Sequence, residues 1–167
     1  PATRINELKK SSGLTGRFVV LYSGNLGMAH DFAPIRDALE ILKMRRERLA
    51  LLFIGEGVQR SKMEDFVTRN AMGDFVHFSD YVPYQNLASS LNIGDAFLLS
   101  MLEGTEGLVV PSKLYSYLAV ARPILAVCTG ASEITDIINT SQCGFTVRTA
   151  KELSDAVCQL MDNLQLR

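Results

Sequence analysis

The sequence is poor in the residues that build disulfide frameworks and metal centres. Its 167 residues include three cysteines and two histidines. Cys128, Cys143 and Cys158 are widely spaced, form no Cys-x-x-Cys pair and lie far along the chain from both histidines. This spacing argues against a zinc site, and the odd number favours buried thiols in a reducing cytoplasm. We therefore expect no disulfide and no bound metal.

The chain also lacks an excess charge and a long apolar run. Its formal net charge at pH 7 is −1, which gives no reason to expect a nucleic acid or an acidic membrane as partner. The longest apolar runs, such as LALLFIG at 49–55, are too short to span a bilayer. No basic-then-apolar stretch opens the chain. We therefore predict a cytoplasmic protein, with any association at the inner face of the cytoplasmic membrane peripheral and limited to a full-length form.

Short apolar runs alternate with amphipathic segments along most of the chain. Six runs predict strands, at 17–24, 48–57, 74–82, 95–101, 122–128 and 143–148. The segments between them carry apolar residues at helical spacing, as in DFAPIRDALEILKMR at 31–45. Because the strand runs are continuously apolar, a sheet covered on both faces is favoured. The pattern predicts a Rossmann-like three-layer α/β/α sandwich with a six-stranded parallel sheet over 17–167, after a linker or truncated end at 1–16.

In such a sheet, ligands bind in the loops that follow the carboxyl ends of the strands. The first loop is GNLGMAH, where Gly24 and Gly27 allow a tight turn that leaves amide groups uncovered for phosphate. A third glycine at the dinucleotide-binding spacing is missing, so a nicotinamide cofactor is disfavoured. Two glycines at a turn fit a purely geometric role equally well. His30 beside Asp31 has no evident orienting group and is expected to face ligand or solvent without catalysing.

The stretch after the fourth strand run, SMLEGTEGLVVPSKLYSYLAVARP at 100–123, is the richest candidate. Pro111 fits the first turn of a helix predicted over 112–120. Amide groups at the start of that helix carry a partial positive charge, and Lys113 adds a full one. The start of this helix is therefore predicted to bind a diphosphate.

The loop before that helix holds two glycines and two glutamates. Gly104 and Gly107 let the backbone approach a ligand closely. Glu103 and Glu106 suit sugar hydroxyls and would repel phosphate. Taken alone, the stretch also fits an acidic surface loop followed by a solvated lysine.

Two further loops offer weaker candidates. Arg60 and Lys62 open the second long helix and could reach a phosphate, although basic residues are common on solvated helix surfaces. Pro83 and Tyr84 follow the third strand run, where a base could rest against the ring. A tyrosine that packs against the helix end fits that position as well.

The order of these segments resembles the carboxy-terminal half of retaining glycosyltransferases with the two-domain GT-B architecture. The similarity is strongest to the group 1, family 4-like bacterial branch that builds cell-surface polysaccharides, and it covers 17–163. The segments that carry it read GNLG, LLFIGEGVQRSKMED, VHFSDYVPYQNLASSLNIGDAFLLSM, GLVVPSKLYSYLAVARPIL and CGFTV.

The resemblance implies that this half binds a nucleotide diphosphate sugar, UDP- or GDP-linked, as substrate and needs no cofactor. It implies transfer with retention at the anomeric carbon and without a metal, the leaving diphosphate being stabilised by the helix dipole and cationic side chains. Together with Arg60 and Lys62, the candidate phosphate contacts on the second long helix, the expected donor-binding positions are Gly24, Asn25, Gly27, Arg60, Lys62, Val82, Pro83, Tyr84, Gly107, Leu108, Ser112, Lys113 and Ser116.

The chain departs from the family pattern at a pair of glutamates with seven residues between them. Counted back from Pro123, the second glutamate would fall at Ser116 and the first at Leu108, and neither is a carboxylate. Glu103 or Glu106 therefore becomes the catalytic candidate, through a longer loop.

The amino-terminal, acceptor-binding domain of such enzymes has no counterpart in these 167 residues. We therefore expect the chain to bind the donor without transferring its sugar, with that domain as its missing partner. One alternative is half of a sugar-nucleotide epimerase, although epimerases have more His, Asp and Glu around the sugar. The other is a non-catalytic regulatory α/β domain such as a receiver, although acidic residues are missing after the first strand.

Overall fold

The structure, a computed structural model, describes residues 7–104 and 112–167 and contains a six-stranded sheet. All neighbouring strands run parallel, in the order β3-β2-β1-β4-β5-β6. The strands are β1 Phe18–Ser23, β2 Leu49–Ile54, β3 Val76–Ser79, β4 Ala96–Ser100, β5 Ile124–Val127 and β6 Gly144–Val147. The predicted Rossmann-like α/β/α class and its parallel sheet are confirmed.

Each strand lies inside the run that predicts it, and the flanking residues have left the sheet. Gly24 and Gly55 show why, because their φ angles of 139° and 140° bend the chain away directly after β1 and β2. The third run shrinks most, from 74–82 to four residues. β3 is an edge strand that pairs only with β2 among the described strands.

Helices connect the strands as the sequence predicts, with small shifts at their ends. They are α1 Glu7–Ser11, α2 Ala33–Leu42, α3 Arg60–Arg69, α4 Leu87–Leu91, α5 Lys113–Val120, α6 Glu133–Ser141 and α7 Ala150–Asp162. Short 3-10 turns follow α2, precede α4 and follow α7, at Lys43–Arg45, Tyr84–Asn86 and Leu164–Leu166. Ala121, the residue after α5, ends the helix in a left-handed conformation (φ 54°), which glycine adopts at a lower cost.

Alternate residues of the central strands bury into two separate cores. Val20 and Tyr22 of β1 face a core shared with α2, α3 and α7. Val19 and Leu21 face a second core shared with α4, α5 and α6. Since both faces are covered, the central strands have no polar face, and β2, β4 and β5 are buried at every position.

The segment before β1, which the sequence analysis assigns to a linker, packs against the domain in the part that the structure describes. Leu14 is buried in the core that contains α4 to α6. The Lys9 ammonium lies 2.6 Å from the Asp95 carboxylate, which also accepts the backbone N–H of Val19 at 2.8 Å. These contacts fix the entry into β1.

The strand order places a ligand crevice between β1 and β4. From β1 the chain builds outward through β2 to β3, and then returns to start β4 on the other side of β1. Loops that leave the carboxyl ends of β1 and β4 therefore diverge to opposite faces of the sheet. Open α/β sheets bind their ligands at this reversal point.

Candidate functional site

A cavity of about 510 Å³ opens at the carboxyl ends of the strands, beside the point where the strand order reverses. Its volume is within the usual range for small-molecule sites. Its polar walls come from Ser23, Asn25, His30, Tyr81, Ser112, Lys113 and Ser116, and its apolar walls include Ala29, Ile54, Val82, Leu87, Leu91 and Met101. Elements from both sides of β1 therefore meet around one space.

Lys113, the first residue of α5, places its ammonium group in the wall of this cavity. Its Nζ lies 2.7 Å from the Tyr22 hydroxyl oxygen and 3.2 Å from Nε2 of His30. It also lies 4.2 Å from the centre of the Tyr22 ring, a cation–π contact. Burial lowers the pKa of Lys113 to about 8. The side chain still carries its charge at pH 7, and it does so in a partly desolvated position.

Both hydrogen-bond partners of this ammonium are neutral. Burial raises the pKa of Tyr22, and the Tyr22 hydroxyl donates to the backbone carbonyl of Asn25 at 2.7 Å. Nδ1 of His30 lies 2.6 Å from the carbonyl oxygen of Ser100, which can only accept, so Nδ1 carries the proton and Nε2 is free to accept. Burial and the charge of Lys113 lower the pKa of His30. The positive charge therefore has no counter-ion in this pair.

Gly24 leaves the space that the lysine side chain occupies. A Cβ atom at Gly24 would lie 3.2 Å from Cε and 3.3 Å from Nζ of Lys113. The backbone at Gly24 also has a φ of 139°, which side-chain-bearing residues rarely adopt. The first glycine of GNLG thus serves the position of Lys113 as well as the shape of the turn.

Three comparisons with known proteins identify the family and the fold of the chain. The sequence pattern of the family described as glycosyl transferases group 1 matches residues 17–163. The chain belongs to this family. The family match favours the glycosyltransferase interpretation over the epimerase and the regulatory domain.

A curated relative of this glycosyl transferase group 1 domain is the probable glycosyltransferase WbjE of Pseudomonas aeruginosa. The two are 31% identical over 154 residues, which are 87% of this chain and 37% of WbjE. The chain therefore spans little more than a third of the length of that relative.

Two solved structures share the fold of the domain. The Alr3699/HepE protein of Anabaena, crystallised with UDP and glucose, superposes with a TM-score of 0.78 at 14% identity, over 99% of this chain and 45% of that one. The C-terminal domain of the group 1 protein LpcC of Francisella tularensis gives a TM-score of 0.77 at 14% identity, over 99% of this chain and 86% of that one. The predicted GT-B half is thereby confirmed as the fold.

The cavity of this group 1 domain brings together six of the predicted donor-binding residues. They come from the loop after β1, the segment after β3 and the start of α5: Gly24, Asn25, Val82, Ser112, Lys113 and Ser116. Gly27, Lys62 and Pro83 do not line it, and Tyr84 is 90% exposed. Of the two glutamates, Glu103 is exposed and outside the lining, whereas Glu106 lies outside the described residues, as do Gly107 and Leu108.

Arg60, also a predicted phosphate contact, is engaged elsewhere. Its guanidinium group lies 2.7 Å from a carboxylate oxygen of Glu56 and 2.8 Å from those of Glu64 and Asp80. The hydrogen bond to Glu64, followed by that to Asp80, raises the pKa of Arg60. Arg60 does not line the cavity.

Three aromatic residues of the site were missed at the sequence level. Two of them lie near the end of β1. The Tyr22 hydroxyl accepts from Lys113, and the Tyr117 hydroxyl accepts the backbone N–H of Ser23 at 2.9 Å. Tyr81, 54% exposed, takes the cavity position that the sequence suggested for Tyr84. The sequence places Tyr81 inside the third strand run, at 74–82, whereas β3 ends at Ser79 and leaves Tyr81 in the loop that follows.

Within 7–104 and 112–167, no three His, Cys, Asp or Glu side chains are grouped so as to hold a metal ion. Over the same residues, no helix combines the length and the apolar character needed to cross a bilayer.

Proposed function

We propose that this chain is the donor-binding half of a retaining, metal-independent glycosyltransferase. The full-length enzyme would move a sugar from a nucleotide diphosphate sugar to an acceptor in cell-surface polysaccharide or glycolipid synthesis. The observation that supports this most is the Lys113 ammonium in the cavity wall. Within the described residues its hydrogen bonds go only to neutral groups, and no carboxylate lies within 4.0 Å of it. Such a charge favours an anionic ligand.

In this proposal the diphosphate lies against Lys113 and the first turn of α5. Backbone amides at the start of a helix of eight residues add partial positive charge there. Gly24 and Asn25 approach the same phosphates from the other wall. The base lies toward Tyr81 and Val82, where one aromatic and one aliphatic side chain border the cavity.

The proposed chemistry is electrostatic. As the bond between sugar and diphosphate breaks, negative charge grows on the leaving phosphate oxygens. An ammonium group already held in a partly desolvated wall stabilises that charge more strongly in the transition state than in the ground state. Glu103 or Glu106 is our candidate for contact with the sugar. An acceptor-binding partner domain completes the cleft, and we expect the chain alone to bind donor without transferring it.

The proposal is tested by nucleotide binding to the wild-type chain and to Lys113→Met. Thermal melting and calorimetric titration with UDP, GDP and ADP should show stabilisation by at least one of them, growing with ligand concentration. Lys113→Met should weaken that binding, while uridine, guanosine or adenosine binding should stay unchanged because these ligands carry no phosphate.

The matched control is Lys151→Met on the exposed surface of α7. Lys151 pairs with Asp155 at 2.6 Å and does not line the cavity, so its removal should not alter nucleotide binding. The proposal fails if no diphosphate stabilises the wild-type chain, or if Lys113→Met and Lys151→Met bind equally well.

A further inference from the structure

The ammonium of Lys113 is hydrogen-bonded to two neutral side chains, Tyr22 and His30, which do not compensate its charge. We propose, on the basis of the proposed function, that Tyr22 and His30 are positioning residues for the diphosphate contact. They form a neutral cradle that fixes the Lys113 ammonium in the cavity wall and leaves its charge for the ligand. Neither residue has to touch the nucleotide for this role.

The His30 side of the cradle is held by the Ser100 carbonyl and by the side chain of Gln59. The Ser100 carbonyl fixes the ring through Nδ1, which directs the bare Nε2 at Lys113. The carbonyl of His30 accepts a hydrogen bond from the Gln59 amide at 2.8 Å, and the same amide donates to the Gly27 carbonyl at 2.8 Å. The loop is thus fastened to α3 and β4, and the tautomer of His30 follows from its surroundings.

The Tyr22 side is held by aromatic packing. Its ring centre lies 5.4 Å from that of Phe32 and 5.8 Å from that of Phe53, within the core below the cavity. Because the hydroxyl proton is directed at the Asn25 carbonyl, the oxygen presents a lone pair to Lys113. The phenol therefore orders the ammonium and joins it to the loop after β1.

The surroundings of Lys113 supply no competing charge in the described residues. β1 contributes Tyr22 and the following loop contributes His30, both in hydrogen-bond contact with Lys113. From α5 itself, Tyr117 lines the same cavity, and burial raises its pKa. The loop after β3 contributes Tyr81. A diphosphate entering the cavity would thus be the counter-ion of Lys113. Both hydrogen bonds of the cradle involve the charged ammonium, and such bonds are stronger than those between two neutral groups.

The test compares UDP with uridine across four variants, by calorimetry between pH 6.5 and 9. Tyr22→Phe keeps the ring and removes the hydroxyl. His30→Asn keeps a donor near the Ser100 carbonyl and loses the acceptor for Lys113, whereas His30→Gln places an amide oxygen near the position of Nε2. Lys113→Met gives the UDP affinity that is expected when the ammonium is absent. GDP or ADP with the matching nucleoside replaces UDP if the wild-type chain prefers it.

We expect Tyr22→Phe and His30→Asn to weaken UDP binding about tenfold, as for the loss of one hydrogen bond to a charged group. Uridine binding should not change, and His30→Gln should restore most of the UDP affinity. The pH midpoint of UDP binding should move downward in Tyr22→Phe and His30→Asn, because an ammonium that has lost an acceptor releases its proton more easily. A purely structural role would lower the melting temperature without moving that midpoint.

The outcomes distinguish the proposed function from the proposed role of Tyr22 and His30. If the wild-type chain binds UDP no better than uridine, and no other diphosphate better than its nucleoside, the proposed function fails. If Lys113→Met loses the preference for the diphosphate while Tyr22→Phe and His30→Asn keep it with an unchanged pH midpoint, the cradle is overturned and the proposed function stands. Should His30→Asn fail to fold, Tyr22→Phe alone decides the question by the same measurements.

Discussion

Two cationic side chains near the carboxyl ends of the strands have opposite surroundings. Arg60 is surrounded by the carboxylates of Glu56, Glu64 and Asp80, whereas Lys113 contacts a phenol and an imidazole. The guanidinium has its charge compensated by the protein, and the ammonium does not. Both residues open a helix after a strand and loop, so their sequence settings look alike. The charge of the neighbouring side chains is what separates Lys113, the proposed phosphate contact, from Arg60.

The largest expected effect comes from removing each cation in turn. Lys113→Met should weaken diphosphate binding roughly 10- to 100-fold, the range for a charge-assisted hydrogen bond of about 1.5–3 kcal/mol. Arg60→Met should change affinity by less than about threefold, since surface ion pairs contribute little and its charge is already matched. Calorimetric titration of both variants measures the difference. Equal losses would show that Arg60 leaves its carboxylates to bind the ligand, and that the two cations do not differ in their availability.

A second expected difference between the two cations is their response to pH. Since the pKa of Lys113 is about 8, diphosphate affinity should fall about tenfold from pH 7 to pH 9 as the ammonium loses its proton. Arg60, whose pKa is raised, stays charged throughout. Titrations at several pH values test this, with Lys113→Met as the variant whose profile should be flat above pH 7. An unchanged affinity at pH 9 in the wild-type chain would contradict it.

The same pKa predicts the opposite trend for the stability of the unliganded chain. The folded-state pKa of Lys113 is lowered from 10.5 to about 8, so between these values the unfolded chain binds a proton that the folded chain has lost. The contribution of this residue to the free energy of unfolding therefore rises with pH across that window. As the pH rises, the wild-type chain should therefore lose diphosphate affinity while Lys113 adds to its free energy of unfolding. In Lys113→Met, both of these pH dependences should be absent.

Much of the fold could be predicted from the sequence, because the strand signal is local and repeated. Every observed strand lies within a continuous apolar run, and helical spacing marks the segments between them. The strand order is not local. It follows from how the helices distribute over two cores, which no single segment encodes.

The candidate site was predictable in its loops and in some of its side chains, but not in the contacts between them. The sequence identified the loop after β1 and the start of α5, and both line the cavity. It ranked Arg60 below Lys113 only because basic residues are common on helix surfaces, since the three carboxylates around Arg60 come from positions 4 to 20 residues away along the chain. It also could not show that Tyr22, a buried strand residue, directs its hydroxyl at Lys113 across 91 residues of sequence.

The smallest expected effect on affinity concerns the space that Gly24 leaves for Lys113. In Gly24→Ala, the added Cβ would lie 3.2 Å from Cε of the lysine, so the side chain must shift and diphosphate affinity should fall roughly three- to fivefold. The left-handed backbone adds a cost of about 1–2 kcal/mol in stability. Gly13→Ala is the matched control, because Gly13 has a φ of 69° with no atom within 4 Å of its added Cβ. Both variants should melt earlier than the wild-type chain, and only Gly24→Ala should bind the diphosphate more weakly. Equal affinity in the two would show that Lys113 has room to move, and that its position is set by Tyr22 and His30 without help from the glycine.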